Sequence, residues 1–309
     1  MSAPALADNP VRQSESLRIP TPGPSNVLGS ETVLALLVAF LLVWLFWHRF
    51  VWMFQLWTSD GLYSFSALVP FASLALAYLK FKRIRDLPRR PKVGGVLLLG
   101  TSVLLLLALD GLGAGFYSLT PLLLVFTLSG IILAVWGSKV LRALAFPLGF
   151  LLFMVPLPPA VFASFDYPLQ IMCAQVTVGL AHAIGIGVQR AGTMLLFPDP
   201  AQLVNVAPAC NGVRSSLAML VVAVLYAYLV DARWYRKAAL VIAGLPLAYF
   251  SNFIRLFANV CLTYTVGPAF MKYEEASDYV FGFFVFGVAV LLLFVIARGI
   301  RCNRFREIG

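Results

Sequence analysis

Apolar runs about as long as a bilayer is thick recur along this chain, and they leave it few ways to fold. They lie at about 29–48, 61–79, 94–111, 117–136, 141–158, 212–230, 239–263 and 279–297. Roughly 17–25 apolar residues in a helix span the hydrocarbon core. Lipid offers the backbone no hydrogen bonds, so each run is expected to be helical. Composition agrees, because 61% of the 309 residues are hydrophobic, 12% are charged and the mean hydropathy is +0.90. A soluble domain of that size cannot hide so much apolar surface. The expected fold is an all-α polytopic membrane protein of about eight transmembrane helices, forming one domain over residues 29–298. Its first span has the least distinct boundary, since His48 and Arg49 interrupt the apolar run from Val33 to Trp57.

The net charge of +10 would suit a nucleic-acid partner, but its distribution points elsewhere. With eight spans, one set of connections holds 18 of the 23 Lys and Arg residues, seven of them in "KFKRIRDLPRRPK" at 80–92. The other side and the spans keep Arg49, Arg190, Arg214, Arg255 and Lys272. Such an asymmetry is the positive-inside pattern, so both termini are expected in the cytoplasm and no nucleic acid is expected as a partner. Four of the six Trp fall between Trp44 and Trp57, as an interfacial belt would require. Residues 1–28, rich in Pro and Ser, read as a disordered cytoplasmic tail without signal-peptide features, and 299–309 as a basic cytoplasmic tail.

One extracytoplasmic segment, 159–209, is too long and too apolar for a plain connection. "DYPLQIMCAQVTVGLAHAIGI" (166–186) reads as a further helix in or on the membrane interface, ended by Gly185 and Gly187. "VQRAGTMLLFPDPAQLVNVAPAC" (188–210) reads as a short β-hairpin about its Pro-Asp-Pro turn.

This topology gathers polar residues at the outer mouth of the protein. Cys210 and Arg214 begin the sixth span, Arg255 lies toward the outer end of the seventh, and Asp278 opens the eighth. A charge within a span costs a few kcal/mol and normally faces a partner or a watery cavity. A cysteine near a helix start is by itself most often a small buried hydrophobe. Cys173, Cys261 and Cys302 keep that reading, with a Cys173–Cys261 disulfide open to the first two. At Cys210, however, a helix N-terminus and a nearby Arg both favour the thiolate. Arg214 also suits a structural ion pair, Arg255 a snorkelling position, Asp278 neutralisation of an arginine, and Asn252 and Asn259 interhelical hydrogen bonds. The chain has no Walker sequence, GxGxxG, HExxH or paired CxxC, and only two histidines, so no metal site and no cofactor are expected.

Two stretches resemble the exosortase/archaeosortase family of membrane-embedded cysteine transpeptidases. "ACNGVRS" (209–215) is close to that family's A-C-[SN]-G-[LIV]-R-S pattern, and "PLAYFSNFIRL" (246–256) is similar to its arginine-bearing helix. The resemblance covers roughly residues 30–300. It implies that Cys210 is the nucleophile, Arg255 the second catalytic residue and Arg214 part of the cysteine motif. The family's third position is usually a histidine at the outer start of the last span. In "SDYVFGFFVFG" (277–287) that place is held by Asp278. A carboxylate cannot act as an imidazole does. Asp278 would serve as a base of raised pKa or orient an arginine, while His182 is the alternative imidazole.

The implied reaction is acyl transfer in the plasma membrane of a prokaryote, at the extracytoplasmic face. The substrates would be membrane-tethered proteins with a C-terminal sorting signal: a short motif, a transmembrane helix and a basic cluster. Cleavage through a Cys210 thioester would pass them to a lipid or glycan acceptor, or to water. Two other readings remain at this stage. One is a family member whose site has drifted and which now serves in binding or assembly. The other is a small-solute transporter, which would carry polar residues through the midplane and often inverted repeats.

Overall fold

The structure is a computed structural model, and it describes residues 27–59, 61–112, 114–156, 159–198, 203–205, 212–267, 274–302 and 304–305. Most of the expected N-terminal tail, the end of the C-terminal tail and Cys210 lie outside the described residues. The chain divides into two units, Met1–Phe50 and Val51–Gly309. In the first unit, Phe46 and Phe50 pair one turn apart, with ring centroids 5.8 Å from each other.

Helix α1 runs Val27–Ser59 without a break. Among its described residues the stretch suited to a membrane is Phe40–Ser59, so the helix continues past the expected outer boundary at 48. His48 and Arg49 do not end the helix, because neither residue breaks the backbone ladder. Arg49 is 1% exposed.

In the second unit a 3₁₀ segment, Gly61–Leu68, leads into α2 (Val69–Leu79), which starts with Pro at its first turn. After the short α3 (Phe81–Arg85) come α4 (Val93–Gly111) and α5 (Thr120–Val135), the latter entered through a 3₁₀ segment, Ala114–Leu119. Helix α6 (Ser138–Phe150) contains Pro147 and tightens into a 3₁₀ turn, Leu151–Met154. Helix α7 (Pro159–Ala183) is followed by strands β1 (Gln189–Ala191), β2 (Met194–Leu196) and β3 (Leu203–Asn205). Three long helices complete the chain: α8 (Gly212–Leu229), α9 (Trp234–Val266) and α10 (Glu274–Gly299).

Among the described residues, six helices are long and apolar enough to cross a membrane: Phe40–Ser59, Val93–Gly111, Phe116–Val135, Gly212–Leu229, Trp234–Val266 and Val280–Gly299. The second and fifth expected spans are composites of 3₁₀ and α segments. Proline explains one of them in detail. Pro147 has no N–H to offer the carbonyl of Ala143, and the Lys80 ammonium donates to that carbonyl instead, at 2.5 Å. The Pro147 carbonyl in turn accepts from the buried Ser73 hydroxyl at 2.7 Å, tying α2 to α6.

The segment before α8 holds one helix, as expected, and more sheet than expected. Helix α7 closes in a Schellman arrangement: Gly185, at φ +84°, donates to His182 O, and Ile186 donates to Ala181 O. The sheet has the order β1-β2-β3, antiparallel throughout. The β2–β3 pair flanks the Pro-Asp-Pro stretch. Strand β1 is an addition, joined to β2 by the two-residue turn Gly192–Thr193 with Gly192 at φ +66°, the positive φ that such a turn demands. Val188, Leu195 and Phe197 pack with Cys173, Ala174 and Ala181 of α7 and with Leu256 and Val260 of α9. That core pins the segment onto α9.

The bundle has two distinguishable ends. At one, the basic connections meet: Arg90 N donates to Trp136 O, Asp231 N to Arg304 O, and the Tyr226 hydroxyl to Cys302 O. The other carries the start of α8, the close of α7 and the far half of α9.

Candidate functional site

Gly212 opens α8 and lies against α9. A Cβ at Gly212 would stand 3.4 Å from Asn252 Nδ2 and 3.6 Å from Tyr249 Cδ2. The absent side chain therefore lets the helix start seat directly on Asn252. The Ser215 and Ser216 hydroxyls fold back onto Gly212 O, at 3.1 and 2.6 Å, and hold the first turn.

Asn252 is 4% exposed, and its amide donates to Cys173 Sγ at 3.9 Å. The disulfide left open for Cys173 and Cys261 is not formed, and both thiols are free. The helix explains why. Cys173 sits beside Asn252, and Cys261 is nine residues farther along α9, about 13 Å of helical rise, beyond the ~7 Å Cα separation a disulfide tolerates. Helix α7 is not among the six long apolar helices. Burial pushes the Cys173 thiol up to about 11, against the opposing pull of Asn252, Thr177 and the Arg255 charge. Cys173 is therefore a protonated packing residue at neutral pH.

Arg255 is half-buried one helical turn beyond Asn252. Its Nε is buried with no hydrogen-bond partner among the described residues. A Cβ at Gly282 would stand 3.0 Å from its Nη1 and 3.4 Å from its Cδ. The guanidinium thus lies over the surface that Gly282 leaves open on α10. The Tyr249 hydroxyl, two turns before Leu256 on α9, is likewise buried without a partner among the described residues.

The remaining expected site residues fall as follows. Arg214 Nη2 donates to Ser64 Oγ at 3.2 Å, linking α8 to the 3₁₀ segment Gly61–Leu68. His182 donates from Nε2 to Val188 O at 2.6 Å, which ties the end of α7 to the entry of the sheet. Asp278 lies in the first turns of α10, one turn before Gly282 on the same helical face; its side chain lies outside the described residues, as does all of Cys210. The structure therefore joins Asn252 to the start of α8 and Arg255 to α10. It binds Arg214 to Ser64 and His182 to a backbone carbonyl. Among the described residues no group of three His, Cys, Asp or Glu side chains is placed to hold a metal.

Residues 57–295 match the model of the transmembrane exosortases (Exosortase_EpsH). The chain belongs to the transmembrane exosortase family. A search of curated proteins gives no match, and a search of solved structures gives none either. The exosortase match runs from the end of α1 to the last turns of α10, so it takes in the Gly212–Asn252 junction and the Arg255–Gly282 contact. Reasoning from the sequence missed Gly282, Tyr249 and Ser64. Gly282 was within reach, because it stands four residues after Asp278 in the aromatic-rich run. Ser64 gave no signal in its own stretch.

Proposed function

We propose that this exosortase is a cysteine peptidase–transpeptidase acting at the extracytoplasmic face of a prokaryotic plasma membrane, on exported proteins tethered by a C-terminal sorting signal. The observation that carries the reading is Arg255, a half-buried arginine whose buried Nε has no hydrogen-bond partner among the described residues, one helical turn from the Asn252 on which the start of α8 rests. A buried donor left unpaired costs roughly 1–3 kcal/mol, an arrangement that suits a group held ready for developing negative charge. Cys210 precedes Gly212 by two residues, and two peptide units reach at most about 7 Å between Cα atoms.

In the proposed reaction the Cys210 thiolate attacks the scissile carbonyl carbon. A C–S bond forms, and the electron pair moves to the oxygen, where Arg255 stabilises it. Collapse re-forms the carbonyl and breaks the C–N bond, and the tail leaves as an amine after taking up a proton. An amine-bearing acceptor or water then attacks the thioester and releases the thiolate. Asp278 is the residue proposed to take and return the proton, or to orient an arginine. The basic end of the bundle would face the cytoplasm, with both termini on that side.

The test is co-expression with a sorting-signal substrate from the same genome, followed by the mass of the substrate. Loss of the C-terminal tail with the wild-type chain, and its retention with Cys210→Ala, is the expected result. Equal processing by Cys210→Ala would overturn it. Asp278, where the family usually has a histidine, favours a second reading: a drifted member that binds substrates without cleaving them. That reading predicts co-purification of intact substrate with wild type and Cys210→Ala alike.

A further inference from the structure

A cavity of about 450 Å³ opens at the basic end, between α6, α8 and α9, far from the Arg255 region. Its size falls within the roughly 300–1,000 Å³ of small-molecule sites. Phe146, Val224, Tyr228, Val241 and Ile242 supply its apolar walls, and Lys237 is the single charged residue lining it. The walls are fixed in place. Tyr228 stacks flat on Phe146, with centroids 3.5 Å apart and planes 6° apart, and Lys80 Nζ stands 5.2 Å from the Tyr228 ring.

The order of residues along α9 gives the cavity a polarity. Trp234 and Tyr235 are exposed on the first turn of the helix, the signature of an interfacial belt. Lys237 follows at about that level. Val241 and Ile242 lie about 6 and about 7.5 Å farther along the helix, at 1.5 Å per residue, on its apolar side. A cation at headgroup depth above an apolar groove is complementary to a molecule with an anionic head and an acyl chain. A free anion would leave the apolar walls unfilled, and a neutral chain would leave the lysine unanswered.

We infer that this groove binds one anionic phospholipid of the bilayer, with its phosphate on Lys237 and one acyl chain along Val224, Val241 and Ile242.

The experiment is native mass spectrometry of the full chain in detergent, titrated with phosphatidylglycerol or with phosphatidylcholine of the same acyl chains. One phosphatidylglycerol is expected to be retained, about fivefold more tightly than phosphatidylcholine, as one lysine near the headgroup supplies. Lys237→Ala should bring phosphatidylglycerol down to the phosphatidylcholine level. Ala238→Phe, which fills the groove, should weaken both lipids. Lys92→Ala, in the exposed basic run, should change neither. The inference is overturned if Lys237→Ala retains phosphatidylglycerol as wild type does, or if Lys92→Ala costs as much as Lys237→Ala. Equal retention of the two lipids also overturns it. So does displacement of the lipid by inorganic phosphate alone, or a dimer that Ala238→Phe abolishes. Unchanged melting of Lys237→Ala separates loss of binding from loss of fold.

Discussion

The two ends of the α8–α9 pair are finished in different ways. At the basic end the exposed carbonyls and hydroxyls find partners: Asp231 N meets Arg304 O, and Tyr226 meets Cys302 O. Nearby, the carbonyl that Pro147 orphans receives Lys80. At the other end the packing is as close, with Gly212 against Asn252 and Arg255 against Gly282. Yet Arg255 Nε and the Tyr249 hydroxyl are buried with no partner among the described residues. Among the described residues, one end is closed by its own hydrogen bonds, and the other leaves these two donors without partners.

The largest effect should come from the residue the unsatisfied end is proposed to serve. Cys210→Ala should lower tail cleavage by at least about 10⁴-fold, as loss of a nucleophile does elsewhere, without changing the melting temperature. Next, Arg255→Met should lower cleavage by about 10²–10³-fold, the usual effect of removing one oxyanion donor. It should leave stability equal or higher, because a buried donor without a partner among the described residues disappears. If Arg255→Met instead melts the protein and Arg255→Lys restores it, Arg255 is a structural cation and the contrast between the ends collapses.

A change at the satisfied α2–α6 contact should do the reverse. Ser73→Ala leaves the Pro147 carbonyl without its side-chain donor and should cost about 1–3 kcal/mol in denaturation, with the cleavage rate of the folded protein unchanged. Slower cleavage at full occupancy of the folded state would mean that the two regions are coupled. Gly282→Ala is a finer probe. Its methyl would meet Arg255 Nη1 at 3.0 Å, and an overpacked contact costs about 1–3 kcal/mol, so cleavage should fall roughly tenfold. Gly287→Ala is its control on the same helix, since nothing lies within 4 Å of its added Cβ. Equal effects from the two would show that α10 resists any methyl, and not that Arg255 needs Gly282.

How much of this contrast the sequence carried depends on the kind of signal. Unbroken apolar runs placed α4, α5 and α8 within a few residues, because hydropathy alone decides where a bilayer helix lies. Proline blurred the second and fifth spans, since Pro70 and Pro147 make composites whose tight 3₁₀ turns no apolar count records. Strand β1 was missed because "QRA" is polar and pairs only through the turn at Gly192. At the site, Arg255 and Asn252 were legible as polar residues in an apolar helix. What Arg255 rests on was not, because Gly282 has no side chain and acts by what it leaves empty. Ser64 lies 150 residues from Arg214, and no local pattern links them.

The smallest effect concerns the second thiol near the site, Cys173, whose contrast with Cys210 is one of reactivity. Cys173 is 1% exposed, and burial raises it from an ordinary 9.0 to about 11. The sign follows from the protonated form being the one the fold favours. Its contribution to stability is fully present below pH 9 and is lost as the pH rises through about 11. A chain carrying Cys210→Ala, Cys261→Ala and Cys302→Ala leaves Cys173 as the only thiol. At pH 7 a maleimide should label it only after denaturation. Labelling in the native state should begin as the pH climbs toward 11, together with a falling melting temperature. Native labelling at pH 7 at the rate of a free thiol would show that the Asn252–Cys173 contact is open to solvent. Cys173 would then join Cys210 as a second candidate nucleophile, and Arg255 would no longer point to one thiol over the other.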